Sequence, residues 1–242
     1  MTRPVALVTG AAHRVGKAIA LELAGRGYDL VVHYHRAEAD AQATVEEIAG
    51  LGAQSAAVQA DLSTADGPAA LFEAALGRFD RLDALVNSAA IMERDSVLSL
   101  TAEAWDRTLN TNLRGPFLCS QLAARQMTDQ AQGGVIVNIA DLSGIEPWAK
   151  YPAHSVSKAG LIMLTQVLAK ALGPKVRVNA VASGPVIKPP EWDEARWQTV
   201  GAHTALRRTG KPRDLTRAVA FLLENGYITG ETLVVDGGGR LF

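Results

Sequence analysis

Seven short apolar runs are spaced along the chain, and longer amphipathic stretches separate them. Each run is too short for a helix and lacks a strict alternation of apolar and polar residues, which is typical of strands buried on both faces of a parallel sheet. The runs cover residues 5–8, 30–32, 56–58, 84–86, 135–137, 176–181 and 233–235. They predict seven parallel strands.

The stretches between the runs carry apolar residues at helical spacing. Val15, Ile19 and Leu23 recur at steps of four, and leucines between residues 161 and 172 recur at steps of three and four. Strands that alternate with helices form right-handed crossovers, so helices cover both faces of the sheet. The pattern predicts a Rossmann-type, doubly wound α/β fold in a single domain over residues 1–242. Residues 183–204, rich in proline and tryptophan, predict a loop with a short helix that serves as a lid.

Composition and charge narrow the class of protein. The formal net charge is -1 at pH 7, so no overall field draws the chain to nucleic acid or to an anionic membrane. The apolar runs fall short of the ~20 residues of a membrane span, and the residues after Met1 form no cleavable signal pattern. Cys119 is expected in the core, and no Cys/His cluster has the spacing of a metal site. We expect a cytoplasmic protein that binds a small molecule, but neither metal, nucleic acid nor membrane.

A glycine-containing turn separates the first predicted strand from the first predicted helix. Gly10 and Gly16 frame it, and Val15 begins the apolar stripe of the helix. Glycines at this point let the backbone approach a pyrophosphate, which lies at the N-terminus of the helix. The turn therefore predicts a dinucleotide site, and the alternative is a tight turn that holds no ligand.

The end of the second predicted strand bears on the choice of dinucleotide. Sites for NAD commonly have an acidic residue there to hold the ribose 2′-hydroxyl, whereas this strand ends in Tyr34, His35 and Arg36. A guanidinium matches the geometry of a 2′-phosphate, and Arg14 in the glycine turn adds a second cation. We therefore predict NADP, and the alternative is that both arginines are solvated surface cations.

Several motifs together resemble the short-chain dehydrogenase/reductase family over essentially the whole chain. The turn at 9–16 is similar to that family's glycine turn, with Arg14 where the middle glycine is usual, and this feature resembles the pteridine reductase branch. Residues 60–63, 85–90, 110–113, 227–230 and 235–238 resemble further family segments. The cofactor-binding residues implied are Gly10, Arg14, Val15, Gly16, Tyr34, His35, Arg36, Asp61, Leu62, Asn87, Ser88, Ala89, Lys158 and Gly184.

The resemblance also implies a catalytic group in which one residue departs from the family. Family members have a tyrosine four residues before a lysine at the start of a helix, and that spacing puts both on one helix face. Here Lys158 matches the lysine, but the tyrosine position is His154. Asp141 stands where classical members have serine and pteridine reductases have aspartate, and Asn112 matches the asparagine that supports the lysine.

Three interpretations of His154 remain open from the sequence. An imidazole, with a reference pKa near ~6.5, exchanges protons readily at neutral pH and can replace the phenol; Asp141 would favour its charged form and Lys158 would oppose it. Alternatively Tyr151, three residues earlier, takes over, although Pro152 leaves open whether Tyr151 is helical. In the third interpretation, the site has lost its acid and the protein only binds the cofactor.

The expected function is NADPH-dependent reduction of a small carbonyl or a pterin-like C=N bond; the alternative is an NADP-binding sensor or interaction module. Met92 falls where pteridine reductases place an aromatic ring, and methionine cannot stack on a pterin. Residues expected near the substrate are Met92, Trp148, Tyr151 and Trp192, although the tryptophans fit lid packing equally well. The resemblance implies a homotetramer or dimer built on helices around 112–126 and 154–172, which carry more apolar positions than the sheet alone requires.

Overall fold

The computed structural model describes residues 3–241 and contains one seven-stranded parallel sheet. The strands lie in the order β3-β2-β1-β4-β5-β6-β7, which confirms the predicted doubly wound α/β fold. Their bounds are β1 Val5–Val8, β2 Asp29–Tyr34, β3 Ser55–Gln59, β4 Ala84–Asn87, β5 Gly134–Asp141, β6 Val176–Ser183 and β7 Thr232–Val235. Each strand contains or closely overlaps one of the apolar runs.

Eight α-helices are described, and they cover both faces of the sheet. Their bounds are α1 Arg14–Gly25, α2 Glu38–Gly50, α3 Gly67–Phe79, α4 Ala102–Leu109, α5 Gly115–Asp129, α6 Pro152–Leu172, α7 Glu194–Ala202 and α8 Pro212–Glu224. In the loop predicted over 183–204, α7 is the short helix that was expected. None of the helices in residues 3–241 is long and apolar enough to cross a membrane.

Successive residues of each strand point to opposite faces, so the sheet separates two apolar cores. On one face α1, α2 and α8 pack, and Val8 is buried there with Ile19 and Leu215. On the other face α3, α5 and α6 pack, and Leu7 is buried there with Cys119. Burial raises the pKa of the Cys119 thiol to about 12, which agrees with the expected core role rather than with a nucleophile.

The order of the strands reverses between β1 and β4, and this is where open α/β sheets bind ligands at the carboxyl ends of the strands. Thr9, just after β1, ties the two ends together. Its Oγ1 accepts hydrogen bonds from the backbone N–H groups of Ser88 at 2.9 Å and Ala89 at 3.0 Å. These two hydrogen bonds therefore hold the base of the crevice in place.

The segment around Asn112 differs from the single helix expected from residue 112 onward. A π-helical turn, Asn110–Arg114, joins α4 to α5, so the helical segment begins ten residues earlier than predicted. π-Helical turns occur frequently at functional sites. This one carries Asn112, whose side chain is buried.

Candidate active site

The glycine turn leaves no room for side chains at two positions. Gly10 has a φ of +64°, and a Cβ there would lie 2.9 Å from the Cα of Ala89. A Cβ on Gly16 would collide with the carbonyl oxygen of Gly10. The backbone is thus bare where a pyrophosphate would approach the start of α1. Val15, between Arg14 and Gly16, packs its side chain against the core.

His33 supports the glycine turn from below, a role that the sequence did not suggest. Its Nδ1 accepts the backbone N–H of Gly10 at 3.0 Å, and its Nε2 lies 3.1 Å from the carbonyl oxygen of Ala60. Because a carbonyl oxygen only accepts, Nε2 carries the proton and the ring is neutral. Burial lowers the pKa of His33 to about 4.

The two arginines expected at a 2′-phosphate do not lie together against one cleft. Arg36 is exposed after β2, beside a shallow cleft that residues 36–40 and 42 line. Nη1 of Arg14 lies instead 3.5 Å from the carbonyl oxygen of Lys188, in the loop after β6. Arg14 also has a φ of +53°, the left-handed region that its glycine counterpart adopts easily. Only Arg36 therefore lies beside that cleft, and the expectation that both arginines hold one phosphate stays a prediction.

The expected adenine border lies beside Arg36. Ser63 donates both its N–H and its Oγ–H to Oδ1 of Asp61, at 2.9 Å and 2.6 Å. These hydrogen bonds, followed by weaker charge effects from His35 and Arg36, lower the pKa of Asp61 although partial burial opposes them. His35 Nε2 lies 3.6 Å from Oδ2 of Asp61. Leu62 is buried behind them, and so is Tyr34 at the end of β2.

Asn87, at the end of β4, is a structural bridge inside the sheet. Its Nδ2 donates to Oδ1 of Asn138 on β5 at 2.9 Å and to Oγ of Ser120 on α5 at 3.0 Å. Its Oδ1 is buried without a hydrogen-bond partner in the described part of the chain. Gly184, expected beside the nicotinamide, packs against Asp236, whose Cα would lie 2.8 Å from a Cβ at that position.

The structure brings Asp141 and His154 into direct contact. Asp141 ends β5 and His154 lies in the first turn of α6, and Nε2 of His154 is 2.6 Å from Oδ2 of Asp141. Oδ1 of Asp141 accepts the backbone N–H of Ser143 at 2.9 Å and a short hydrogen bond from its Oγ. Burial would raise the pKa of Asp141, but the hydrogen bond from His154 and the charge of Lys158 lower it.

The other ring nitrogen of His154 faces the segment after β4. Nδ1 lies 3.0 Å from the carbonyl oxygen of Ile91 and 3.3 Å from Nδ2 of Asn112. Asn112 itself holds Ile91, because its Oδ1 accepts the N–H and its Nδ2 donates to the carbonyl oxygen, both at 2.8 Å. Nδ2 of Asn112 also donates to Oγ of Ser157 at 3.2 Å. Within residues 3–241, Asn112 makes no direct hydrogen bond to Lys158.

Lys158 lies one turn beyond His154 and points inward beside β5. Its Nζ donates to the carbonyl oxygen of Ile139 at 2.7 Å, and the residue is only 4% exposed. Burial lowers the pKa of the ammonium group, while the nearby carboxylate of Asp141 opposes that shift. The amino group of Lys158 is therefore buried close to the carboxyl group of Asp141.

The residues expected near a substrate lie in three places. Tyr151 precedes α6 as its N-cap, so it is not helical, and its ring meets that of Trp148 edge to face with 6.2 Å between centroids. Trp192 packs within the lid loop, against Trp197 at 6.4 Å and beneath the guanidinium of Arg196. Trp192 thus packs within the loop over 183–204, and its contact with a substrate stays a prediction. Met92 is half exposed on the loop after β4.

Four contributors to the site were not foreseen, namely Thr9, His33, the carbonyl group of Ile91 and Ser143. Ser143 follows Asp141 by two residues, and an Asp-x-Ser sequence is a known signal for a local hydrogen bond that caps a turn. The carbonyl of Ile91 carries no such signal, because every residue has one. Within the described residues no group of three or more His, Cys, Asp and Glu side chains could hold a metal ion.

Comparisons with known proteins define the class to which this site belongs. A family model described as Enoyl-(Acyl carrier protein) reductase matches residues 10–239. The chain belongs to the short-chain dehydrogenase/reductase family, which uses a nicotinamide cofactor. The bare glycine turn at the sheet crevice, with Lys158 beyond it, fits such a cofactor.

Two relatives and one solved structure illustrate the similarity. The chain is 37% identical to the 3-oxoacyl-(acyl-carrier-protein) reductase of Synechocystis sp., over 100% of this chain and 99% of the relative. It is 37% identical to the corresponding reductase FabG of Staphylococcus aureus, over 96% of each chain. The crystal structure of acetoin dehydrogenase from Enterobacter cloacae superposes with a TM-score of 0.92, at 36% identity, and the match covers 99% of this chain and 96% of that one.

Proposed function

We propose that this protein is an NADPH-dependent reductase of a small carbonyl compound. The observation that carries the proposal is the hydrogen-bonded pair of Asp141 and His154, 2.6 Å apart, one helical turn before the buried Lys158. This arrangement supports the proposal, because it offers a proton source beside the side chain of Lys158 at the carboxyl ends of the strands. Reduction of a carbonyl requires a hydride on carbon and a proton on oxygen, and the pair can supply the proton.

The chain's own residues divide the remaining work. The nicotinamide cofactor, when bound, supplies the hydride. Lys158 would hold the nicotinamide ribose, and when charged it would favour the negative charge that develops on the substrate oxygen. Asn112 fixes Ile91, whose carbonyl oxygen meets Nδ1 of His154, and through Ser157 it braces the same face of α6. The Asp141–His154 pair stores the proton.

The preference for NADP rests on Arg36. Arg36 is exposed at the end of β2, in the loop where the ribose 2′-position is expected, and no acidic residue precedes it on that strand after Asp29. Its guanidinium can pair with a 2′-phosphate. Arg14, which points to the lid, instead lies where it can meet the pyrophosphate or the substrate.

For the substrate we propose a small ketone. The relatives' names suggest two carbonyl classes, a hydroxyketone or diketone of the acetoin type and a 3-oxoacyl thioester. Tyr151 and Trp148 offer an edge-to-face aromatic wall for such a substrate. A pterin-like C=N bond is the second candidate, because Asp141 stands where pteridine reductases have aspartate, but Met92 provides no aromatic ring for stacking.

We further propose a homodimer or homotetramer built on α5 and α6. Phe117, Val156, Met163 and Val167 are 39–58% exposed on these helices. Residues 156, 163 and 167 lie on one face of α6, since they are spaced by seven and four. A face of this kind suits a second copy of the chain.

The deciding experiment follows the oxidation of NADPH by purified protein with diacetyl, acetoin, a 3-oxoacyl thioester and dihydrobiopterin. We expect turnover of at least one ketone, and slower or weaker turnover of the pterin. Efficient pterin reduction at micromolar concentration would favour the second candidate. Binding of NADPH without turnover of any substrate would contradict the proposal and leave an NADP-binding module that has lost its acid.

A further inference from the structure

His154 has no ring nitrogen left to meet a substrate. Its side chain is 3% exposed, Nε2 is held by Asp141 at 2.6 Å, and Nδ1 faces the carbonyl oxygen of Ile91 at 3.0 Å. Both ring nitrogens, which are the atoms that can exchange a proton, therefore point into the protein. A direct transfer from this imidazole to a substrate would require the ring to leave both partners.

A count of hydrogens places a proton on Nδ1. The carbonyl oxygen of Ile91 can only accept. Nδ2 of Asn112 has two hydrogens, and these go to Ile91 O at 2.8 Å and to Ser157 Oγ at 3.2 Å. Nδ1 therefore donates to Ile91 rather than accepting from Asn112.

The same count leaves one more proton between His154 and Asp141. With Nδ1 protonated, Nε2 and Oδ2 stand 2.6 Å apart, and two lone pairs at that distance would repel each other. The contact is satisfied when one proton lies between them, on Nε2 of an imidazolium or on Oδ2 of a carboxylic acid. The pair therefore holds a transferable proton in either arrangement.

Asp141 is the more exposed member of the pair. Its side chain is 18% exposed, against 3% for His154. Ser143 holds Oδ1 through its N–H and its hydroxyl group, so the carboxyl plane is fixed. β5 ends at Asp141 beside Ser183 of β6, at the carboxyl edge where the ligand crevice opens.

We propose that Asp141, not His154, hands the proton to the substrate, and that His154 is a positioning residue that stores this proton and returns it to the carboxylate. This inference rests on the proposed reductase function. In the step, a hydride from the nicotinamide cofactor forms the new C–H bond, and the carbonyl π bond breaks toward oxygen. The O–H bond of Asp141 breaks as the substrate oxygen takes the proton. The cofactor is oxidised and the ketone is reduced to an alcohol.

The resting state is then restored without a further reactant. Before the step, the shared proton moves from Nε2 of His154 to the carboxylate of Asp141, and a proton from water refills the pair after the alcohol leaves. Lys158, from α6, is the other charged group that acts on Asp141, and it favours the carboxylate. Asn112, Ser143 and Ser157 are neutral contacts of the pair. His154 thus offsets Lys158 by keeping a proton beside Asp141.

The test compares Asp141→Asn with His154→Ala over pH 5–9, with saturating NADPH and the best ketone. Asp141→Asn should lower kcat by roughly 10²- to 10⁴-fold at every pH, the usual range for loss of an acid catalyst. His154→Ala should lower kcat at neutral pH. The kcat of this variant should rise again on acidification, as Asp141 becomes protonated from water, and should increase when imidazole is added. A purely structural role of His154 would give neither the recovery nor the rescue. His203→Gln, which removes an exposed imidazole from the end of α7, is the matched control and should leave the profile unchanged.

A second readout uses the free protein and needs no turnover. In ¹⁵N-histidine NMR at pH 7, Nδ1 of His154 should carry a proton, and a downfield proton resonance should mark the contact with Asp141. That resonance should disappear in Asp141→Asn. An unprotonated Nδ1 would overturn the hydrogen count and the proposal with it.

The kinetic outcomes distinguish a failure of this inference from a failure of the proposed function. If Asp141→Asn keeps most of the wild-type kcat while His154→Ala is inactive at every pH, the imidazole delivers the proton itself and this inference is wrong. If Tyr151→Phe abolishes turnover while both variants remain active, Tyr151 is the donor, and the inference is again wrong. A wild-type protein that reduces no carbonyl substrate overturns the proposed function itself.

Discussion

The backbone N–H of Gly10 donates a hydrogen bond to Nδ1 of His33 at 3.0 Å, so the glycine turn is tied to the second strand of the sheet by a neutral, buried imidazole. The opposite nitrogen donates to Ala60 after β3. One ring thereby links the ends of three chain segments at the crevice. Protonation of Nδ1 would break the bond to Gly10.

The first prediction is that acid destabilises the fold through His33. The pKa of His33 is lowered by burial from an ordinary 6.5 to about 4, so the unfolded chain binds the proton first. The stabilisation is complete above pH 6.5 and is lost as pH falls from 6.5 toward 4. At about 1.4 kcal/mol per pKa unit, the full loss is about 3 kcal/mol. Urea unfolding of the wild type at pH 7 and pH 4.5 measures it.

Carboxylates also titrate in this range, so the comparison with His33→Phe isolates the contribution of the imidazole to the pH dependence of stability. The free energy of unfolding should fall by about 2–3 kcal/mol more in the wild type than in His33→Phe between these two pH values. His203→Gln should behave like the wild type. Equal pH dependence in the wild type and His33→Phe would show that His33 does not control acid stability.

The second prediction concerns the dinucleotide. A guanidinium at position 36 should make NADP⁺ bind at least ~10-fold more tightly than NAD⁺, about 1.4 kcal/mol from one charge-assisted contact. Arg36→Asp should erase or reverse that preference, and calorimetry with both dinucleotides measures it. Arg217→Asp makes the same charge change on the exposed side of α8 and should preserve the preference. Equal affinities of the wild type for the two cofactors would refute the assignment of Arg36.

The third prediction restores the family residue. In His154→Tyr, a phenol would stand four residues before Lys158, and Asn112 already lies beside position 154. We expect the activity to be kept or raised and to vary less with pH around neutrality, because a phenol keeps its proton at these pH values. Steady-state kinetics from pH 6 to pH 9 provide the measurement. A complete loss of turnover in a folded variant would mean that the imidazole cannot be replaced by a phenol here.

The fourth prediction concerns assembly. Met163 and Val167 are 58% and 55% exposed on one face of α6, so a second copy should cover them. Light scattering should give a mass two or four times the 25.6 kDa of one chain, and Met163→Lys combined with Val167→Lys should reduce it. Leu98→Lys, on the loop after β4, is the control for an added charge. A wild-type mass near 25.6 kDa would contradict the proposed oligomer.

The spacing of apolar residues and the types of residue were sufficient to predict the sheet and where the site would lie. Seven apolar runs without alternation predicted seven buried parallel strands, because a strand covered on both faces needs apolar side chains on both. Gly10 and Gly16 marked the crevice, because only glycine fits where two backbones meet so closely. The i, i+4 spacing of His154 and Lys158 by itself predicted that both lie on one side of a helix.

Tertiary structure alone decided what these groups contact. The partner of Nδ1 of His154 is a backbone carbonyl 63 residues away, and a carbonyl has no signature in the sequence. Arg14 points to the loop at Lys188, 174 residues further along the chain, rather than to Arg36. The direction of a long side chain depends on which neighbours the fold brings within reach, and these neighbours are distant in sequence. Residue types therefore determined which chemistry is present, whereas the packing of distant segments determined that the carboxyl group of Asp141 is more exposed than the ring of His154.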